Sequence, residues 1–204
     1  MKLYYSPGAC ALSPQIVLRE AGLPFTLVKT NLKDKTTEDG ADFWAINAKG
    51  SVPALQLGNG AVLTEGPAIV QYVADLAPAA NLAPANGTFE RVRLQEMLNY
   101  ITSEVHKSIG SLFNPAMPES FRPVVKETVL KKLAYVDAIL AKTPYLMGAS
   151  FTVADAYLYN VTRWTAYDSI GIDTSSLKNL TAFMERMNAR PAVQAALKAE
   201  GLTA

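Results

Sequence analysis

This 204-residue chain holds one cysteine and one histidine, so any thiol or imidazole chemistry rests on Cys10 and His106. Cys10 follows the apolar Leu3-Tyr4-Tyr5 and the chain-breaking Ser6-Pro7-Gly8-Ala9, and stands before a helical stripe that opens at Ala11 or Pro14. A helix N-terminus offers free N–H donors and partial positive charge, which favour a thiolate there. The competing reading is a small buried hydrophobe, the ordinary state of an intracellular cysteine. His106 lies mid-helix in Ser103-Glu104-Val105-His106-Lys107. An imidazole there is either a surface or core residue or a hydrogen-bond partner for a sulfur, and Lys107 beside it adds positive potential. So few cysteines and histidines exclude an intrachain disulfide and disfavour zinc, whose sites usually draw four ligands rich in these types; no metal is expected.

Two further motifs point to a ligand with polar ends. In Val52-Pro53 the proline either marks a strand start where no N–H is wanted or forms a cis peptide. In the second case the backbone N–H and C=O of Val52 face outward at the sheet's end and can hold an extended peptide as an added strand. Glu65-Gly66-Pro67 is either an ordinary helix start or a place where Glu65 pairs with an ammonium while free N–H groups accept a carboxylate.

The elements that must position these residues are legible in outline. Leu3–Tyr5 reads as a short buried strand, Ile16, Val17, Leu18 and Ala21 as a helical stripe closed by Gly22, and Phe25–Thr30 as a second strand: a βαβ unit with a right-handed crossover. A short helix is expected around Phe43-Trp44. An antiparallel hairpin follows, Ala54–Leu57 and Ala61–Leu63 across Gly58-Asn59-Gly60, and then a helix with Pro67 at its first position. The order βαβ-αββα predicts an α/β domain with a mixed four-stranded sheet over residues 1–77. Residues 78–88, with Pro78, Pro84 and Gly87, form a connector. Residues 89–204 then read as an all-helical domain, with helices over about 89–112, 123–141, 153–166, 177–188 and 191–200. Thr152-Val153-Ala154-Asp155 has the spacing of an N-capping box, so Thr152 and Asp155 are read as structural.

Composition narrows the partners. Nineteen Lys and Arg against eighteen Asp and Glu give a net charge of +1, too weak to gather nucleic acid or an anionic membrane. Half the chain is hydrophobic, enough for a core without staples, yet no run approaches the roughly 18 apolar residues of a membrane span. The opening stretch is too short for a signal sequence, so a soluble, cytoplasmic protein is expected.

Taken together, Ser6-Pro7-Gly8-Ala9-Cys10 after the first strand, Val52-Pro53, Glu65-Gly66 and a helical half carrying His106-Lys107 resemble the bacterial beta-class glutathione transferases over essentially the whole chain. The resemblance implies a thioredoxin-like first domain and a homodimer with active sites at the interdomain clefts. It implies glutathione as co-substrate, a small apolar electrophile as second substrate, and no cofactor. It also assigns residues: Cys10 and His106 at the glutathione sulfur; Val52, before a cis Pro53, at the cysteinyl part; Glu65 and Gly66 at the γ-glutamyl end; Lys35 near the glycyl carboxylate, with Lys107 beside His106. By the same resemblance Asn99, Ser103 and Glu104 would reach glutathione from the partner subunit, and Tyr5, His106, Phe113 and Trp164 would wall the electrophile. Three departures stand out. Gly66 replaces a common hydroxyl residue, Ala11 replaces a serine beside the cysteine, and Asn47-Ala48 replaces Asn-Pro.

Three activities fit such a chain. Conjugation of the glutathione thiolate to electrophiles is the first. Thiol-disulfide exchange or reductive dehalogenation through a Cys10 mixed disulfide is the second, with a further glutathione resolving the intermediate because no second cysteine exists. A non-catalytic binding protein on the same scaffold is the third.

Overall fold

A computed structural model describes residues 1–203, which divide into two compact units, residues 1–83 with 190–203 and residues 84–189. The first unit opens with β1 (Lys2–Tyr5), α1 (Leu12–Glu20) and β2 (Thr26–Asn31), with β1 and β2 parallel as a βαβ crossover requires. A two-residue strand β3 (Thr36–Thr37) and the short helix α2 (Phe43–Ile46) follow, then β4 (Ala54–Gln56), β5 (Val62–Thr64) and α3 (Gly66–Leu76). The sheet runs β3-β2-β1-β4-β5, with β4 antiparallel to β1 and β5 antiparallel to β4.

The expected mixed sheet therefore has one strand more than the four predicted. β3 is two threonines in a polar stretch, held against the end of β2 by Thr30–Thr37 and Asn31–Thr36 pairing. Two residues are too few for alternation to register in sequence. The hairpin turn forms at Gly58-Asn59-Gly60, where the Asn59 side chain accepts from the backbone N–H of Ala61, and its second strand sits one residue later than predicted.

The core of this unit joins Leu3 and Leu55 of the sheet to Leu12, Ile16, Ile69, Val70 and Val73, all with no exposed surface. The last helix, α9 (Pro191–Glu200), packs on α1 and belongs to this unit, whereas the sequence pattern grouped it with the helical half. Two polar ties hold it. Arg190 Nε lies 2.7 Å from Glu20, and the backbone N–H of Gly8 donates to the Glu200 carboxylate at 2.9 Å. Helical periodicity gives α9 an apolar face (Val193, Ala196, Leu197) but does not say which surface covers it.

In the second unit α4 (Phe89–Tyr100) is capped by Thr88, whose hydroxyl accepts from Arg91 N–H, and runs through a π-helical turn, Ile101–His106, into α5 (Lys107–Ser111). Ile101, Val105 and Ile109 recur every four residues along it and are fully buried. The remaining helices are α6 (Arg122–Leu140), α7 (Val153–Arg163) and α8 (Lys178–Asn188). Asp137 of α6 accepts from Leu180 N–H and Asn179, fixing the start of α8. No helix among the described residues is long and apolar enough to cross a membrane.

Candidate active site

Cys10 lies in the turn between β1 and α1, where Gly8 has φ +74°, a conformation a side chain disfavours. Ala9 N–H bonds back to Ser6 and Leu12 N–H to Ala9, so the thiol is presented by a closed backbone turn. Its Sγ donates to the carbonyl of Val52 at 2.9 Å, and the Val52–Pro53 bond is cis. The pull of the helix start toward a thiolate is opposed. Burial pushes the Cys10 thiol from 9.0 up to about 12, and the carboxylates of Glu65 and Glu200 add to the rise, against a smaller opposing pull from Cys10's own backbone amide.

The loop before Pro53 is shaped by Asn47, which is buried, accepts from Lys49 N–H and donates to the Ser51 carbonyl at 2.7 Å. Gly50 has φ +58°, and a Cβ there would stand 2.5 Å from the Trp44 ring. Lys35 fastens the same loop: its Nζ donates to the Gly50 carbonyl at 2.6 Å and sits 5.4 Å from the Trp44 ring centroid. Glu65 precedes α3 with φ +70°, sparsely populated for a side-chain-bearing residue, and its exposed carboxylate pairs with Lys49 at 2.5 Å. Lys49 also donates to Thr64. Gly66, the first residue of α3, has open space where a Cβ would stand.

In the second unit, His106 closes the π-helical turn. Such turns recur at functional sites because they widen the helix and re-aim one side chain. The Nδ1 of His106 is 2.6 Å from the hydroxyl of Tyr157, and its ring meets the Trp164 ring edge-on with centroids 4.8 Å apart. Phe113 stands edge-on to Trp164 at 5.7 Å and to Tyr167 at 6.2 Å. The structure thus gathers His106, Phe113 and Trp164 into one aromatic cluster. Tyr5 belongs to the first unit, in an apolar cluster with Tyr4, Ala11, Phe43, Val52 and Ala54. Burial, then Glu200 and Glu38, raise its hydroxyl's pKa.

Asn99, Ser103 and Lys107 fall at four-residue intervals on an exposed face of the α4–α5 helix, with Ser103 Oγ donating to the Asn99 carbonyl. Glu104 is held elsewhere, by Lys132 Nζ at 2.7 Å, and that hydrogen bond lowers its carboxyl pKa. Asp155 is fully buried and accepts from Thr152 N–H and Leu146 N–H, each at 2.8 Å, completing the capping box.

Sequence reasoning missed Lys49, Trp44, Glu200 and Tyr157. Tyr157 had a usable signal, since it precedes Trp164 by seven residues, two turns of one helix, and so shares its face. Glu200 had none, because a contact spanning 192 residues leaves no local pattern.

Residues 1–75 match the family model for the glutathione S-transferase N-terminal domain, and residues 103–200 match that for its C-terminal domain. The glutathione S-transferase GstA of Escherichia coli O157:H7 is 48% identical over 99% of this chain and 100% of its own. A sphingomonad glutathione S-transferase solved in complex with glutathione superposes with a TM-score of 0.95 at 47% identity, covering both chains completely. The bacterial beta-class enzyme of Sphingomonas chungbukensis does so with a TM-score of 0.95 at 45% identity, again over the whole of both chains. Matched from end to end by relatives of one kind, the chain belongs to the glutathione S-transferase family, beside its bacterial beta-class members.

Proposed function

We propose that the protein conjugates the thiolate of reduced glutathione to small apolar electrophiles in the cytoplasm, as a homodimer. Glutathione lies as an extended peptide against Val52, adding a strand at the end of the sheet. Its ammonium meets Glu65, its γ-glutamyl carboxylate meets the N–H groups at Gly66 and the start of α3, and its glycyl carboxylate meets Lys35. Asn99, Ser103 and Glu104 of a second copy reach the same glutathione. The observation that carries the reading is the 2.9 Å contact of Cys10 Sγ with the Val52 carbonyl. A cysteinyl unit paired with Val52 has its own sulfur beside Cys10.

The reacting sulfur is then that of glutathione. A free thiol near pKa 8.5 is a few per cent ionised at neutral pH, so lowering its pKa by about two units raises the reactive fraction more than tenfold. His106, and Cys10 once its thiol proton turns from the Val52 carbonyl to the bound sulfur, supply hydrogen bonds that the thiolate accepts, and the new carbon–sulfur bond forms as the electrophile's leaving group departs. His106, Phe113 and Trp164, with Tyr5, line the electrophile, and Lys107 adds positive potential. A thiol pushed up to about 12 is a poor attacking group, which weighs against exchange or reductive dehalogenation through Cys10.

Calorimetric titration with glutathione and a conjugation assay with a chloronitroarene, on wild type and Cys10→Ala, test this. Binding in both proteins is expected, with turnover in Cys10→Ala lower by about ten- to a hundredfold, the weight of one hydrogen bond to a charged group. Absence of binding in the wild type overturns the proposal. Exchange activity that vanishes with Cys10 while conjugation is absent from both would transfer the assignment to redox chemistry.

A further inference from the structure

Tyr157 is 2% exposed, and its hydroxyl lies 2.6 Å from Nδ1 of His106. The two rings meet edge-on at 76°, with centroids 5.7 Å apart. Trp164, two turns further on, closes a second edge of the same imidazole at 4.8 Å. The helix that carries Tyr157 is anchored just before it, where the Asp155 carboxylate takes the N–H groups of Thr152 and Leu146. His106 is therefore held at one nitrogen by a hydroxyl on a fixed helix, and along its ring by an indole.

We propose that Tyr157 is a positioning residue for the transferase reaction: its hydroxyl donates to Nδ1, so the imidazole proton stays on Nε2 and His106 presents Nε2–H to the glutathione sulfur. A neutral imidazole has one donor and one acceptor nitrogen, and the partner of one nitrogen decides the role of the other. A phenol hydroxyl carries a hydrogen-bond donor and so can serve in that role. The alternative, Nδ1–H donating to the Tyr157 oxygen, leaves a bare Nε2, which accepts hydrogen bonds and cannot stabilise a thiolate by donating one. The inference rests on the proposed role of His106 at the sulfur and adds what sets its tautomer.

His106 is the chain's only histidine, so a full-length protein labelled with ¹⁵N-histidine and made without a histidine tag gives a single imidazole spectrum. At about pH 8, where an ordinary imidazole is neutral, the wild type should show the proton on Nε2. Tyr157→Phe keeps the ring and removes the donor; its spectrum should move toward a mixture of tautomers. Turnover number for conjugation should fall about tenfold while KM for glutathione stays within about twofold, because the lost hydrogen bond acts through His106 and not on the ligand's ends. A wild-type proton on Nδ1 overturns the inference, and that measurement decides even where the variant fails to fold. A tautomer unmoved in folded Tyr157→Phe overturns it as well. Undiminished turnover in His106→Ala would instead overturn the sulfur role of His106, a distinct result because the tautomer would still answer to Tyr157.

Discussion

The surroundings of Cys10 and those of His106 are built from different materials. Around Cys10 stand backbone groups and carboxylates: the Val52 carbonyl at its thiol, with burial first, then Glu65 and Glu200, raising its pKa. Around His106 stand a phenol and aromatic rings, Tyr157, Trp164 and, one ring further, Phe113. The first setting favours a protonated sulfur; the second fixes an imidazole by one hydrogen bond and edge-on rings. A helix start beside a cysteine is thus no guarantee of a thiolate, since desolvation and nearby negative charge can outweigh a few amide dipoles.

The sharpest way to break this contrast is to measure Cys10 itself. With its pKa raised from 9.0 to about 12, the thiolate fraction at mildly alkaline pH falls by about a thousandfold. Alkylation by iodoacetamide in the absence of glutathione should be slower than that of an unfolded cysteine peptide by a similar factor, and Glu200→Gln should be faster than wild type. The sign for stability follows. The folded state holds this proton more tightly than the unfolded chain, so the contribution is whole below about pH 9 and is lost as pH rises toward 12. An alkylation rate equal to the peptide's would show a thiol with no upward shift and erase the distinction between the two settings.

Asp155 tests the other side. Its buried carboxylate takes two backbone N–H groups, and Thr152 Oγ1 lies 3.1 Å from it. Asp155→Ala strands those donors and removes the cap, a loss of about 3 kcal/mol, read as a lowered urea midpoint at unchanged slope. The His106 imidazole signal should broaden at the same time, because the first turn of α7 leads directly into Tyr157. A loss under about 0.5 kcal/mol would mean that this helix start is held by packing alone.

The capping box illustrates what sequence carries well: short-range spacing with one physical meaning. The same holds for β1, α1 and β2, where apolar runs end at Gly and Pro, and for the apolar stripe of Ile101, Val105 and Ile109. The π-helical turn at His106 was hidden, since one widened turn leaves that stripe nearly intact. Long-range partners were hidden for another reason. Glu200 at Gly8, Lys49 at Glu65 and Lys132 at Glu104 are pairings that only the folded chain selects. For Cys10 the local helix start was visible, whereas the burial that raises its pKa, and after it the carboxylates of Glu65 and Glu200, come only with the folded chain.

Gly66 gives the smallest expected effect and the finest test of how glutathione is oriented on the Cys10 side. A side chain at this first position of α3 meets nothing within 4 Å, and the residue does not have the left-handed φ that would strain one. Gly66→Ser should therefore fold without penalty, and serine suits a helix start better than the middle of a helix. Its hydroxyl would add one hydrogen bond to a γ-glutamyl carboxylate seated on the α3 amides, tightening glutathione binding by about tenfold in calorimetric titration. Turnover with saturating glutathione should change little, because the new bond is made equally in ground state and transition state. An unaltered dissociation constant would mean that the carboxylate is not seated at the start of α3. The γ-glutamyl end would then be held through its ammonium at Glu65 and not through its carboxylate.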